Sequence, residues 1–331
     1  MIEEVSGTWM KRYVARRLLQ LIPILLGITL LSFGMMHLAG GDAVTALIEN
    51  QGAAISQAEI DQRKAQLGLD KPFLVQYANW LGGLLTGDMG DSYVSGKPVF
   101  STFASKLPAT LLLTLSSVVC TVLIAVPLGI YSATHRNRLG DYLVRFGSFV
   151  GNALPNFFVA LLLILVFSVW LGWFPVISSS LGESGIAAIR PIGLVLPTAT
   201  LTIAMVGKYT RQVRATVLDE LGKRYVDGAR SRGIAERRIL YGSVLRSSMI
   251  MIVTMLALSI GDLLGGAAIV ESIFQWDGVG KLAVDSIALR DYPLIQAYVA
   301  WMAIIYVVVN LIADLAYRAL DPRVRTDGEG A

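Results

Sequence analysis

Apolar runs of membrane length recur along this chain and constrain its fold more than any other feature. The runs cover about residues 16–38, 108–133, 146–172, 192–210, 248–271 and 293–317. Each is close to the roughly 20 residues that a helix needs to cross the hydrocarbon core of a bilayer. The composition agrees, since 54% of residues are hydrophobic and 16% are charged, against about 25% charged in soluble domains. The sequence predicts an all-α integral membrane protein with six transmembrane helices.

Positive charge predicts the orientation of these helices. Lys and Arg number twenty in residues 1–17, 134–145, 208–246 and 318–331, and eight in the segments on the other side. Because cytoplasmic loops carry the excess of Lys and Arg, both termini are expected in the cytoplasm. The apolar stretch 18–38 exceeds the roughly 7–15 residues of a signal-peptide core, so we expect a retained signal anchor.

The runs divide the chain into three parts. Residues 1–106 are predicted to form the signal-anchor helix and an extracytoplasmic segment, and 107–320 a five-helix core; 321–331 form a cytoplasmic tail. A short amphipathic helix is expected at about 73–85, on the outer membrane surface or on the helix bundle. A packed subdomain without a ligand role is the alternative. Pro155 and Pro197 are expected to break hydrogen bonding in the third and fourth spans.

Motifs for enzymatic chemistry are missing from the sequence. No Gly-Lys pair belongs to a Walker A loop, and no His-Glu-x-x-His, Cys-x-x-Cys or Gly-x-Ser-x-Gly occurs. Two histidines and one cysteine offer little for a catalytic or metal site. His37 lies beside Met35 and Met36, where packing at the membrane interface is favoured over metal ligation. The sequence predicts a protein that is not itself an enzyme.

Polar residues inside membrane spans indicate where a translocation path could run. The candidates for this path are Asp262 and Glu271 in or beside the fifth span and Asn152 and Asn156 in the third. Asp262 lies beside Gly261 and near Gly265, where helices can approach closely. A structural carboxylate is the alternative role for Asp262.

The loop 208–247 carries the densest charge of the chain. A topological anchor, a nucleic-acid-binding helix and a docking surface for another protein would each explain a basic loop. Forty residues between two spans are too few for a nucleic-acid-binding domain. We predict a helix over 220–232, ended by Gly233 as a C-cap, and a second helix starting at 234–236. Gly228 would leave one face of the first helix bare, which allows a partner to approach closely.

Asp227-Gly228-Ala229, followed after three residues by Gly233, resembles the Glu-Ala-Ala-x-x-x-Gly motif of permease subunits of ATP-binding-cassette importers. The first position is Asp instead of Glu, and the second is Gly instead of Ala. The Ile-x-Leu-Pro that often follows is absent. VLRSSM at 244–249 instead resembles the Leu-Arg-Asn-Ala of the peptide and nickel branch.

That branch is matched along nearly the whole chain. RYVARRLLQLIPILLGITLLSF resembles its first span, and LGLDKPFLVQYANWL with GDMGDSY its extracytoplasmic segment. ESIFQWDGVGKLAVDSIALRDYPLIQA resembles its Glu-x-Ile-Phe-x-Trp-Pro-Gly-x-Gly through Arg-Asp-Tyr-Pro, with Asp277 where Pro is usual. The order and spacing of these stretches identify the chain as similar to the first permease of dipeptide, oligopeptide and nickel systems.

The resemblance implies a type I importer permease in the bacterial inner membrane. Its implied partners are a second permease, forming a heterodimer, two ATPase subunits, an extracytoplasmic binding protein and membrane lipids, with no nucleic acid. ATP and Mg would be used by the ATPase subunits, and no cofactor is bound by this chain. The implied ATPase-coupling residues are Tyr225, Asp227, Gly228, Ala229 and Gly233. A stand-alone carrier or receptor whose basic loop contacts lipid is the rival hypothesis.

Two departures from the family pattern bear on the substrate. Peptide branches often have Pro-Gly-Asp-Pro after the first span, where this chain has Gly40-Gly41-Asp42-Ala43. Dipeptide members often carry a longer insertion before the fourth span than residues 173–192. Both departures favour nickel or a metal chelate over peptides as the substrate, although no metal site is evident in the sequence.

Overall fold

A computed structural model describes residues 2–38, 61–62, 65, 68–179, 185 and 190–320. Within these ranges it describes no side chains for 2–18, 21, 250–251, 253–259, 262, 264–266, 313–314 and 316–320. All named regular elements of this part are helices, and the one β-bridge described joins Asp91 to Pro98. The predicted all-α architecture is confirmed.

Eleven α-helices are named in the described part of the chain. They are α1 Ile2–Leu38, α2 Phe73–Thr86, α3 Val99–Thr134, α4 Leu139–Ala153, α5 Asn156–Leu163, α6 Val195–Leu221, α7 Arg224–Ser231, α8 Glu236–Ile239, α9 Leu245–Ile273, α10 Val279–Ala288 and α11 Tyr292–Leu320. A π-helical segment, Ile164–Trp170, continues α5, and another, Leu240–Val244, joins α8 to α9. A 3₁₀ turn, Pro191–Leu194, leads into α6.

Three helices in the described ranges are long and apolar enough to cross a membrane. They are Val99–Thr134, Pro191–Leu221 and Tyr292–Ile312. A fourth span is made by α4 and α5 with its π-helical continuation, if this bent pair counts as one crossing. The predicted transmembrane character is therefore confirmed for three helices, and for four when the bent pair is counted as one span.

The third predicted span is not straight. The pair Leu139–Ala153 and Asn156–Trp170 is bent by 101°. Leu154 has extended backbone torsions, with φ −79° and ψ 130°, because the ring of Pro155 disfavours helical torsions in the preceding residue. The predicted break at Pro155 is confirmed, and it divides the span into two helices.

The fourth span differs from its predicted form in two respects. Its helix continues past residue 210 to Leu221, so it carries charged residues well beyond the apolar run. Pro197 lies in the first turn of α6, where a proline is tolerated. The expected break at Pro197 is therefore wrong.

The chain forms two compact units. The first comprises residues 1–110, 181–188 and 277–307, and the second comprises 111–180, 189–276 and 308–331. In the first unit α2 packs on α1 through aromatic contacts: the ring of Phe33 lies 5.1 Å from Phe73 and 5.6 Å from Tyr77. The predicted amphipathic helix therefore exists and packs on α1, although its Leu74 is 70% exposed.

The first unit is also tied together by buried charge. The carboxylate of Asp291 accepts hydrogen bonds from the Ser92 hydroxyl and the Tyr93 backbone N–H. Asp277, at the position where the family usually has Pro, forms an ion pair with Lys106 and accepts the Gly185 N–H at 2.7 Å. The aspartate that replaces the usual Pro at position 277 thus makes contacts that join three separate stretches of the chain.

The second unit is built around α6. The Thr121 hydroxyl of α3 contacts the Met205 sulfur of α6 at 3.7 Å, and Gly129 packs against Val213. Both residues of the second contact lie C-terminal to those of the first, so α3 runs parallel to α6. α4 runs antiparallel to α6, and α5 and α9 also pack on it. The buried cluster at the C-terminal end of α6 contains Ala133, Val213, Val217, Val226, Ala229, Ile239, Val244 and Ile252.

Candidate functional site

The turn after α7 has the geometry of a Schellman C-cap. Gly233 adopts a left-handed conformation with φ +75°. Its N–H donates to the Arg230 carbonyl at 2.8 Å, and the Ile234 N–H donates to the Ala229 carbonyl at 3.2 Å. These two bonds satisfy carbonyls that the end of a helix leaves unpaired. The predicted C-cap role of Gly233 is confirmed.

α7 divides its residues between two faces. Val226 is completely buried and Ala229 is 9% exposed, and both belong to the cluster that includes Val213 and Val217 of α6. The opposite face presents Tyr225, Asp227 and Gly228, all exposed. A Cβ added at Gly228 would meet nothing within 4 Å. The helix is therefore held to the protein by its apolar face and presents a partly bare polar face outward.

Glu220 joins the end of α6 to the start of α7. Its carboxylate pairs with the Lys223 ammonium and accepts a 3.0 Å hydrogen bond from the Tyr225 hydroxyl. Glu220 is 8% exposed, so the carboxylate is shielded from water. Partial burial of the phenol and its bond to Glu220 raise the pKa of Tyr225. The hydrogen bond therefore holds the partly exposed ring of Tyr225 at its hydroxyl end.

Arg230 bridges α7 and α8 on the exposed side of the turn. Its Nε donates to Glu236 at 2.7 Å, and a longer contact of 3.4 Å reaches Asp227. The hydrogen bond from Arg230 lowers the pKa of Glu236. The basic loop thus keeps part of its charge in internal pairs and does not present a uniform cationic surface.

One predicted boundary of this loop is wrong. A single helix over 220–232 was expected, but Glu220 belongs to α6, and α7 begins only at Arg224. Lys223 between them is extended, with ψ 146°. The Glu220 carboxylate draws Lys223 and Tyr225 toward the end of α6, which separates the two helices. Sequence spacing gave no sign of this contact.

The candidate path residues have different environments. Asn152 is exposed and Asn156 is half-buried, and they lie on the two sides of the bend at Pro155. Glu271 is completely buried within the second unit. The side chain of Asp262 lies outside the part of the chain that the structure describes. Their assignment to a translocation path stays a prediction.

His37 lies in the first unit. The imidazole of His37 packs edge-on against Phe73 at 5.4 Å, which agrees with the packing role favoured for it. Among the described residues, no group of three His, Cys, Asp or Glu side chains is arranged to hold a metal ion.

A buried ion pair near the same end of α6 is not among the contacts predicted from the sequence. Arg214 donates two hydrogen bonds to the Asp141 carboxylate, at 2.8 and 3.0 Å. Asp141 is completely buried, and the Ser132 hydroxyl and the Asn137 N–H also donate to it. Asp141 lies in the first turn of α4, and Arg214 lies where the apolar run had been expected to have ended. The sequence offers only a weak signal for such a pair. Asp141 is an acidic residue in the otherwise basic stretch 134–145, and Arg214 follows the apolar run of the fourth span.

Comparisons with known families match nearly the whole chain. The model described as "Binding-protein-dependent transport system inner membrane component" matches residues 125–326. Residues 10–114 match the model described as "Binding-prot-dependent transport system membrane comp, N-term".

Similar proteins match over their full length. The oligopeptide transport system permease protein AppB of Bacillus subtilis (strain 168) is 42% identical over 317 residues, covering 95% of this chain and 99% of the relative. The glutathione transport system permease protein GsiC of Salmonella typhimurium (strain LT2) is 37% identical over 316 residues, with coverage of 96% and 99%. GsiC of Escherichia coli (strain K12) is 36% identical over 316 residues, with the same coverage.

A solved structure shares the fold of part of this chain. The MetNI methionine ABC transporter in an inward-facing conformation aligns with a TM-score of 0.53 and 16% identity, covering 66% of this chain and 96% of that one. At this identity the likeness shows the fold alone.

Proposed function

The chain belongs to the binding-protein-dependent transport system inner membrane component family, in its peptide/nickel-type branch, and we propose that it forms half of the translocation path of an ATP-driven peptide importer. The second half would be another permease subunit, so that the two form a heterodimer. Two ATPase subunits would bind at the cytoplasmic face and use ATP and Mg. An extracytoplasmic binding protein would deliver the substrate.

The observation that carries this proposal is the build of α7. Its inward residues, Val226 and Ala229, fix it to α6, while Tyr225, Asp227 and Gly228 face outward. A helix presented in this way has a rigid base and an exposed contact surface. The bare position at Gly228 admits a neighbouring backbone or side chain without a clash. We assign α7 as the element through which the ATPase moves the permease.

The proposed topology has six crossings with both termini in the cytoplasm. All six apolar runs fall on helices that the structure describes, and the distribution of Lys and Arg sets their direction. With this direction, α7 lies on the cytoplasmic side and α2 on the outer side. The predicted division at residues 106 and 320 belongs to the same proposal.

The substrate class is proposed from the relatives. AppB is named for oligopeptides and GsiC for glutathione, which is itself a short peptide. Nothing in these comparisons supports the earlier preference for nickel or a metal chelate, so we propose short peptides. A lipid-contacting carrier or receptor is not favoured, because the relatives are permeases of multi-subunit transport systems.

Cross-linking from α7 tests the ATPase contact. Asp227→Cys, made in a Cys120→Ser background, would carry a short thiol–amine cross-linker, and Asp70→Cys would serve as the matched control. Asp227 and Asp70 are both exposed, but only Asp227 lies on the proposed contact side. We expect a permease–ATPase product from position 227 and none from position 70. Equal yields from both positions, or no product from 227, would refute the assignment.

The substrate is tested on the cognate binding protein. Calorimetry with di- to pentapeptides, glutathione, nickel and nickel–histidine compares the candidate classes directly. Binding of peptides and not of nickel species is expected. Tight binding of a nickel species alone would restore the metal-chelate hypothesis.

A further inference from the structure

The ion pair between Asp141 and Arg214 connects two helices of the second unit at a fixed position. Both carboxylate oxygens of Asp141 accept bonds from the guanidinium, which is the paired geometry that fixes direction as well as distance. The Ser132 hydroxyl and the Asn137 N–H hold the same carboxylate from the end of α3 and the following turn. A shift of α6 by one helical turn, about 5.4 Å, would break both bonds from Arg214 at once, while Ser132 and Asn137 would keep the carboxylate in place.

Further along, α4 and α6 touch backbone to backbone. A Cβ at Gly207 would lie 2.6 Å from the Ser148 carbonyl oxygen and 2.8 Å from the Asn152 nitrogen. A Cβ at Gly151 would lie 3.1 Å from the Ile203 carbonyl oxygen. These contacts continue the antiparallel register that begins at Asp141 and Arg214. The two helices are thus pinned at their ion-paired end and in close contact up to the bend at Pro155.

The C-terminal part of α6 is also the support of α7. Val213 and Val217, on either side of Arg214, belong to the buried cluster that contains Val226 and Ala229. Neighbouring turns of one continuous helix therefore hold α7 and α4. A displacement of α7 that is transmitted to α6 will reach α4 through the Arg214 contact.

We propose that Asp141 and Arg214 are positioning residues that transmit movement of α7 through α6 to α4, and so to Asn152 beside the bend. The inference rests on the proposed function, in which an ATPase moves α7. A buried ion pair contributes little net stability compared with apolar side chains of similar volume. The ion pair instead sets one register between α4 and α6, so that α4 moves together with α7.

The double variant Asp141→Asn/Arg214→Met tests this link. It removes both charges, keeps the side-chain volumes and leaves an amide that can still bond Ser132 and Asn137. The single variant Arg214→Met is the matched control for folding, because it leaves a buried carboxylate without its cation. The readouts are the yield of assembled complex, ATP hydrolysis and peptide uptake, all in proteoliposomes.

We expect the double variant to assemble like the wild type and to keep its basal ATP hydrolysis. Peptide transported per ATP should fall about tenfold, within the range of coupling between distant sites. A purely structural role would lower the yield of complex and leave transport per ATP unchanged. Wild-type transport per ATP in the assembled double variant would overturn the proposal.

A distance measurement separates failure of this inference from failure of the proposed function. Spin labels at Leu143→Cys and Ser231→Cys, in the Cys120→Ser background, report on α4 and α7 in the reconstituted complex. The wild-type label pair should keep one narrow distance with and without ATP, and the double variant should broaden it. Equal distributions in both would refute the link. A wild-type complex that takes up no peptide with ATP would instead refute the proposed function.

Discussion

The Tyr225 hydroxyl donates a 3.0 Å hydrogen bond to Glu220, the second-last residue of α6. This bond spans the break between α6 and α7, where Lys223 is extended. It fixes the first turn of the proposed coupling helix to the helix that supports it, while 40% of Tyr225 stays exposed for a partner. A residue of the proposed contact surface is thus held in place from within the subunit.

Tyr225→Phe should weaken this junction slightly. Loss of the hydrogen bond is expected to cost about 0.5 kcal/mol, at the low end for a hydrogen bond because the ring is partly exposed. The measurement is thermal unfolding of the purified chain in detergent. Tyr241→Phe is the control, since Tyr241 is 62% exposed, and it should change nothing. A larger effect at Tyr241 than at Tyr225 would contradict the assignment.

The same bond predicts a pH dependence. The pKa of Tyr225 is raised above its ordinary value, which is about 10 in the unfolded chain. Its contribution is therefore complete below about pH 10 and is lost as the pH rises through the higher folded value. The stability difference between wild type and Tyr225→Phe should stay constant from pH 6 to 9. A difference that changes within that range would contradict a raised pKa of Tyr225 in the folded state.

The two glycines of the proposed coupling loop, Gly228 and Gly233, should respond differently to alanine. Gly233→Ala places a side chain in a left-handed conformation and should cost about 1–2 kcal/mol. Gly228→Ala lies in a helix with open space around it and should stabilise the isolated helix by up to about 1 kcal/mol. Because alanine is the usual residue at this position of the family motif, Gly228→Ala should keep substrate-stimulated ATP hydrolysis, whereas Gly228→Trp should lose it if the ATPase occupies the space over Gly228. Unfolding curves and ATPase assays on these variants separate the effects, and full ATPase stimulation in Gly228→Trp would argue against close approach there.

Close packing of α4 on α6 predicts a strong effect at Gly207. Gly207→Ala forces a Cβ against the backbone of α4 and should cost about 1–3 kcal/mol through overpacking. Gly147→Ala, on α4 with nothing within 4 Å of the new Cβ, is the control and should be neutral or stabilising. Thermal unfolding in detergent and yield of assembled complex are the measurements. Similar behaviour of both variants would mean that the helices are not in close contact.

The contact made by Asp277 predicts that its charge matters for the first unit. Asp277→Asn leaves the largely buried Lys106 without its anion and should cost about 1–3 kcal/mol. Asp285→Asn removes the partner of Lys281 at an exposed site and should change stability by less than about 0.5 kcal/mol. Both are compared by thermal unfolding. Equal small effects would mean that Asp277 stands in for Pro without a structural role.

Much of the fold follows from hydrophobic length and from local backbone chemistry. The six apolar runs fall on helices, Pro155 breaks the third span and Gly233 caps α7, because each depends on residues near in sequence. The contacts of Glu220, Asp141 and Asp277 were not predictable, since each joins residues from separate turns or helices. The end of α6 was misplaced because packing against Val226 and Ala229 extends the helix beyond its apolar run.

The substrate class shows another limit of the sequence. Gly40-Gly41-Asp42-Ala43 and a short segment before the fourth span favoured a metal chelate, but these stretches lie outside the described residues apart from residues 173–179, 185 and 190–192 of the second. Selectivity in such a system also depends on the binding protein, whose site this chain does not contain. Motifs of the permease therefore identify the family better than the cargo.

The most direct test of the central claim is peptide uptake by proteoliposomes that contain this chain, its second permease and the binding protein, with and without the ATPase subunits. We predict accumulation of peptide only when the ATPase subunits and ATP are both present. Full uptake by the purified chain without any ATPase partner would contradict the account.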